Sequence, residues 1–374
     1  MKSSQQLVLN HVEDTPDSKG IEPNLILIFG GSKAMKNSTF IAQVHQMFPS
    51  AIIAGCSTAG EILNESVHDE SLALTYVDFE TTTLVAEWIT IDDASESEAV
   101  GQKLISKFNP EGLKHVFVLS DGLHVNGTQL VKGMRIALPE GAAVTGGLAG
   151  DGADFNNTYI LNSKGEPQQK AIAAIGFYNP NLKVGYGSLG GWDTFGLERL
   201  VTKSKDNVLY EIDNQPALDL YKSFLGDQAD GLPASGLLFP LSMRLNDTES
   251  PLVRTILAVD EETKSLTFAG DIPEGSYVKL MKANVDRLIN GAEGAAKVSS
   301  EENNNPQLAL LISCVGRKLV LKQMVEEEVE AVRDVVGENA AITGFYSYGE
   351  IAPFLQNAKC ELHNQTMTIT TFSE

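Results

Sequence analysis

Cysteine is scarce in this chain of 374 residues: Cys56, Cys314 and Cys360 are odd in number and far apart. That excludes a disulfide scaffold and fits a reducing compartment. Basic charge is short as well, with 28 Lys and Arg against 49 Asp and Glu, a net charge of −21. So acidic a chain argues against a nucleic-acid backbone or an anionic membrane as partner. No apolar run approaches the roughly 18 residues of a membrane-spanning helix, and the polar opening lacks the apolar stretch of a secretory signal. Together these absences predict a soluble, cytoplasmic protein. Phosphate-binding signatures are missing too: neither Gly-x-x-x-x-Gly-Lys-Ser/Thr nor a Gly-x-Gly-x-x-Gly opening a helix after a strand occurs. There is no Cys-x-x-Cys-His either, so any haem would be held non-covalently.

What the chain has instead is a corner written more than once. Gly55-Cys56-Ser57-Thr58-Ala59-Gly60-Glu61-Ile62 returns as Gly344-Phe345-Tyr346-Ser347-Tyr348-Gly349-Glu350-Ile351. A looser relative, Thr145-Gly146-Gly147-Leu148-Ala149-Gly150-Asp151, lies between them. Each follows a short apolar run, and further upstream stands another: Leu25 to Phe29, Val116 to Leu119, and Leu308 to Ile312. The interval in each copy suits an amphipathic helix. It is clearest in the last, where Leu321, Val325, Val329, Val332 and Val336 form one stripe. A further strand follows each corner, at Leu72 to Phe79, Ala171 to Tyr178 and Met367 to Phe372. The pattern predicts a mixed α/β protein of repeated strand–helix–strand–turn–strand units with added antiparallel hairpins, in two closely packed parts.

Residues 1–23 read as an N-terminal segment, a loose end or an early edge strand. The first part runs over 24–213 and the second over 214–374. A polar linker is expected over Ser299 to Pro306. The glycine-rich stretch Lys183 to Thr202 reads either as tight sheet turns or as the rim of a backbone-lined pocket.

The repeated corners, with Thr343 to Pro353 and the block His363-Asn364-Gln365-Thr366-Met367-Thr368, resemble the FIST proteins across nearly the whole chain. The resemblance implies an N-terminal and a C-terminal FIST domain, 24–213 and 214–374. It also implies a sensory input module that binds a small molecule, such as an amino acid or a related metabolite. The partner would be a histidine kinase, a cyclic-di-GMP enzyme or a chemotaxis receptor. Because no output domain fits before Glu374, signalling in trans is expected. Some family members look like haem-based nitric oxide sensors, which makes haem a second expectation. An enzyme using Cys56 or the acid cluster is a third.

Read from the residues alone, Glu61, Asp151 and Glu350 are the sharpest feature. If the units are related by symmetry, the three acids would line one mouth at strand ends and receive an ammonium group. They could equally order their own turns by accepting backbone N–H groups. Ser57, Thr58, Ser120 and Asp121 offer hydroxyl and carboxylate groups beside glycine, or ordinary turn caps. Gly147, Tyr346 and Tyr348 come from the same corners and complete the set. Arg254, alone in an apolar strand, would clamp a ligand carboxylate or face solvent. His363 is the candidate haem ligand or a hydrogen-bonded structural residue, with His124 a weaker candidate. No metal-ligand spacing is evident otherwise.

Overall fold

The computed structural model describes residues 1–9, 14–37, 39–246, 251–354 and 358–374. Among these residues the strands form three six-stranded sheets and one eight-stranded sheet. The three smaller sheets repeat one plan. In the first unit Leu25–Gly30 and Ile52–Ser57 run parallel, joined by the helices Ser32–Asn37 and Thr39–Met47. Leu72–Asp78 then returns antiparallel to the first of these strands, and Lys2–Val8 forms the edge beyond it. The second unit places Leu113–Ser120, Ala143–Leu148, Ala171–Tyr178 and Thr83–Thr90 in the same order. The third does so with Leu308–Cys314, Ala341–Ser347, Met367–Ser373 and Lys183–Leu189.

Each unit sends the hairpin after its corner into a neighbour's sheet. The first unit's hairpin, Glu61–Leu63 and Ser66–His68, pairs with Ala341–Ser347 of the third. The third unit's hairpin, Gly349–Pro353 and Cys360–His363, pairs with Ala143–Leu148 of the second. The second unit's hairpin, Ile160–Leu161 and Pro167–Gln168, pairs with Ile52–Ser57 of the first. The exchange is cyclic, and it covers a sheet edge that each unit alone would leave open. Between the sheets lies a core drawn from all three units, with Phe29 against Phe345 and Phe177 against Phe372 at ring separations of 4.8 Å.

The repeated glycine that opens each corner has a packing cause. A Cβ on Gly55, Gly146 or Gly344 would stand 2.0, 1.9 or 1.8 Å from the carbonyl oxygens of Ile28, Val118 and Leu311 on the parallel neighbour strand. Backbone cannot yield as a side chain does. We therefore expect Gly344→Ala to destabilise the fold by at least about 2 kcal/mol, read as a lowered urea midpoint. An unchanged midpoint would refute this account of the glycine.

The eight-stranded sheet is an addition to the third unit, placed after Lys183–Leu189 and before the helix Val285–Glu302. Its strands lie between Asp193 and Lys282, with the long strand Asp193–Lys205 shared by Tyr277–Lys282 and Val208–Ile212. It has its own core, including Val201, Leu209, Tyr221, Phe268 and Leu280, closed by the helix Ala217–Leu225. In its packing the chain forms a three-unit body and this added sheet. The expected division at 213/214 lies in the turn where Ile212 pairs with Gln215, inside the added part.

Two local expectations are corrected. Of the glycines after Lys183, Gly190 and Gly191 do border a cavity of about 160 Å³, whereas the first two are neither turn nor rim. Gly185 and Gly187 sit mid-strand beneath the helix Val285–Glu302, where a Cβ would meet the Ser299 carbonyl oxygen at 1.8 Å and that of Ala295 at 2.4 Å. Their missing side chains let the helix lie directly on the strand. The same helix runs on through Glu302, so half of the expected linker over 299–306 is helical. The predicted stripe on Val325–Val336 is present, with Val329, Val332 and Val336 buried.

Candidate functional site

The three corners do meet. The Ala59 N–H donates to the Tyr346 carbonyl (2.8 Å), the Tyr348 N–H to Leu148 (3.2 Å), and the Gly150 N–H to Ser57 (2.9 Å). These hydrogen bonds close a ring that passes once through every unit. Each carboxylate is instead taken up by hydrogen-bond donors around its own turn, which corrects the expectation of one acid-lined mouth. Glu61 accepts from Thr58 Oγ1 (2.5 Å), Ser71 Oγ (2.8 Å) and the Ser71 N–H (3.1 Å). Glu350 repeats the arrangement with Ser347 Oγ (2.6 Å), Thr366 Oγ1 (2.9 Å) and the Thr366 N–H (3.1 Å). Each acid latches its own corner to the start of the strand that follows. Burial raises both, Glu61 to about 7 and Glu350 to about 8, against donors that favour the charged form.

The second unit delegates the latch to another residue. Asp121, at the end of Leu113–Ser120, accepts the Lys170 N–H (2.7 Å), the Leu123 and His124 N–H groups and Thr158 Oγ1. It also orients the His124 ring, whose Nδ1 lies 3.1 Å away. Asp151 binds its own loop, accepting from the N–H groups of Phe155 (2.9 Å), Asn156 (2.7 Å) and Asn157 (2.7 Å) and from the Tyr348 hydroxyl.

Other expected residues are similarly engaged. Ser57 Oγ accepts the Tyr159 N–H, and Ser120 Oγ donates to the Asp121 carbonyl. Gly147 pairs with Glu350 across the second sheet. The Tyr346 hydroxyl donates to Glu328, which is ion-paired to Arg317 at 2.7 Å, both side chains fully buried. Arg254 neither faces solvent nor opens to a ligand. It is buried, its Nε donates to the Asp271 carbonyl and its Nη1 to those of Val253 and Leu362, tying the added sheet to the body. All three cysteines are buried, and burial pushes their thiols up. That is the reverse of an activated nucleophile.

The residues at His363 do not fit haem. Burial holds the imidazole neutral, down to about 4, and Nε2 lies 2.7 Å from the Ala352 carbonyl, which only an N–H can satisfy. The adjoining cavity is about 160 Å³, below the roughly 300 Å³ at which small-molecule sites begin. Among the described residues no cluster of three His, Cys, Asp or Glu side chains is placed to hold a metal ion.

The larger cavity, about 630 Å³, lies between the body and the added sheet. Ala153 and Phe155 of the second unit form one wall, and Leu319 with Lys322 of the third unit another. The added part closes it with Leu232, Pro233, Leu238, Ile256 and Leu257. Phe155 stands in the wall because the Asp151 loop holds its N–H and because it stacks on Tyr348, ring centroids 4.5 Å apart. Phe155 and Leu257 also border a smaller cavity of about 200 Å³ that reaches Gly122, Asn126, Leu148 and Tyr348. Of the expected residues, Tyr348 and Asp151 therefore position a wall of the larger cavity without lining it themselves. Sequence reasoning missed Phe155, Ile256, Leu319, Lys322 and the 232–238 stretch, which folds as 3-10 turns without periodicity.

The FIST N domain matches residues 24–215, and the FIST C domain residues 217–353. The chain belongs to the FIST family. FIST domains are sensory domains of signal transduction. An uncharacterized protein of Methanocaldococcus jannaschii is 25% identical over 347 residues, 82% of this chain. The match spans 65% of that relative's length. A cyanuric acid hydrolase of A. caulinodans has a similar course over 99% of this chain and 98% of its own, at 7% identity and a TM-score of 0.39. That likeness is too slight to bear on activity. Among the described residues, no helix of this FIST protein is long and apolar enough to cross a membrane.

Proposed function

We propose that this FIST protein is a cytoplasmic sensor that binds a small molecule in the cleft between its two parts and signals in trans to a separate signalling protein. The observation that carries the reading is the 630 Å³ cavity walled jointly by two units of the body and by the added sheet. Its size suits a metabolite. A ligand touching both parts favours the arrangement in which both walls reach it, and so shifts a pre-existing equilibrium.

The helix Val315–Leu321 offers a route outward. It presents Leu319 to the cleft, while its Arg317 donates to the carbonyls of Gly190 and Leu288. Those carbonyls lie where the chain leaves the body for the added sheet and where it returns. A ligand that moves this helix acts on both connectors at once.

A thermal-shift screen of amino acids and small metabolites tests the proposal, since a ligand of the folded state raises its melting temperature. Stabilisation by a hit should be lost in Ala234→Trp, which puts bulk at an exposed position of the cavity wall. A hit that survives this change binds elsewhere and overturns the placement. Catalytic turnover that disappears in Cys56→Ala or Glu61→Gln would overturn the sensor reading itself.

A further inference from the structure

We infer that the cleft takes an amphipathic anion: a compact aliphatic or aromatic body bearing one carboxylate and no ammonium group. This rests on the cleft being the ligand site and adds the ligand's chemical class. The walls are almost wholly apolar, with Phe155, Leu232, Leu238, Ile256 and Leu319 facing the cavity. A ligand must offer them hydrocarbon to gain from leaving water. Lys322 is the charged residue among those lining it. Its side chain is exposed at the lip and makes no ion pair among the described residues. Its ammonium is therefore free to meet an anion at the cavity rim.

The position of Lys322 is set by the backbone. It follows the helix Val315–Leu321 at φ 53°, with its N–H bonded to the Lys318 carbonyl. The ammonium therefore starts from a fixed turn beside Leu319, and an anion seated on the apolar walls finds it at the rim. Among the described residues no carboxylate lines the cavity to receive the ammonium of an α-amino acid. Asp151 is buried, with its oxygens occupied by the N–H groups of Phe155, Asn156 and Asn157 and by the Tyr348 hydroxyl. Asp154, between two lining residues, is exposed and does not line the cavity. The family resemblance suggests an amino acid, and the lining chemistry selects against its ammonium group.

The test compares probes of one size on the full-length protein by isothermal titration calorimetry and thermal shift: octanoate below its micelle concentration, octanol, octylamine and leucine. Octanoate should bind about two- to fivefold more tightly than octanol, while octylamine and leucine give no shift. Affinity should rise about fourfold per methylene from hexanoate to octanoate. Lys322→Met, at an exposed position, should bring octanoate down to the affinity of octanol and leave octanol unchanged. Ala234→Trp should weaken both, which distinguishes the cleft from surface adsorption. Equal binding of octanol and octanoate, or octanoate binding untouched by Lys322→Met, overturns the anion inference and leaves the cleft standing. Tighter binding of leucine or octylamine overturns it as well. Failure of every probe, octanol included, removes the cleft reading and this inference with it.

Discussion

Arg317→Met is expected to cost about 3–5 kcal/mol of folding stability, the loss typical when one partner of a buried ion pair is removed. Arg317 and Glu328 are both fully buried and 2.7 Å apart. Glu328 also receives Ser313 Oγ (3.0 Å) and the Tyr346 hydroxyl (2.7 Å). Without the guanidinium, those two donors would face a buried charge with no counter-ion. The carbonyls of Gly190 and Leu288 lose their donors at the same time. The double variant Arg317→Met/Glu328→Gln should recover much of the loss, because an amide still accepts from Ser313 and Tyr346 without needing a counter-charge. Urea unfolding of the four members of the cycle measures the coupling. If the single change costs less than about 1 kcal/mol, the pair is not the clamp that the geometry indicates.

How much of this was legible in the sequence follows from the range of the interactions. The frame shared by Gly55 to Glu61 and Gly344 to Glu350 is local, and it marks equivalent corners correctly. Helix periodicity over 321–336 is local too. The cyclic hairpin exchange is not: Glu61 pairs beside Phe345 across most of the chain, and no pattern near either residue announces it. In the second unit the repeat misleads. Asp151 looks like the third copy of Glu61 and Glu350, yet Asp121, from a different strand, makes the corresponding bond to the strand start. An acid beside a glycine can latch a corner from either side, so residue type alone leaves the choice open. Arg254 was placed in a strand, but its burial depends on Leu362, which is distant in sequence. The cleft was hidden for another reason. Its added-part wall is irregular 3-10 backbone, and hydrophobic patterning identifies a buried face only where the backbone is periodic.

Stability should fall between about pH 6.5 and 8, and the cause is the pair of latching acids. Glu61 and Glu350 have no ion-pair partner among the described residues, and burial raises them to about 7 and about 8. In the unfolded chain an ordinary glutamate titrates near 4.3. Above that value the folded state holds protons that the unfolded state has released. Stability is therefore lost as pH climbs towards the folded values. Two buried histidines oppose this at lower pH. Burial pulls His115 down to about 3 and His363 to about 4, so each stays neutral when folded but charges when unfolded below about 6.5. Their contribution is present above 6.5 and shrinks as pH falls. Between about 4.5 and 6.5 the two acids and two imidazoles nearly cancel, which predicts a plateau. From 6.5 to 8 the acids act alone, removing about 2–3 kcal/mol in all. Glu61→Gln/Glu350→Gln keeps the hydrogen-bonding shape without the titrating proton, so its stability should stay level across that window. Urea titrations at pH 6.5, 7.3 and 8 in both proteins decide it. A wild-type profile flat from 6.5 to 8 would mean that both acids are already ionised in the fold, with the Ser71 and Thr366 donors outweighing burial.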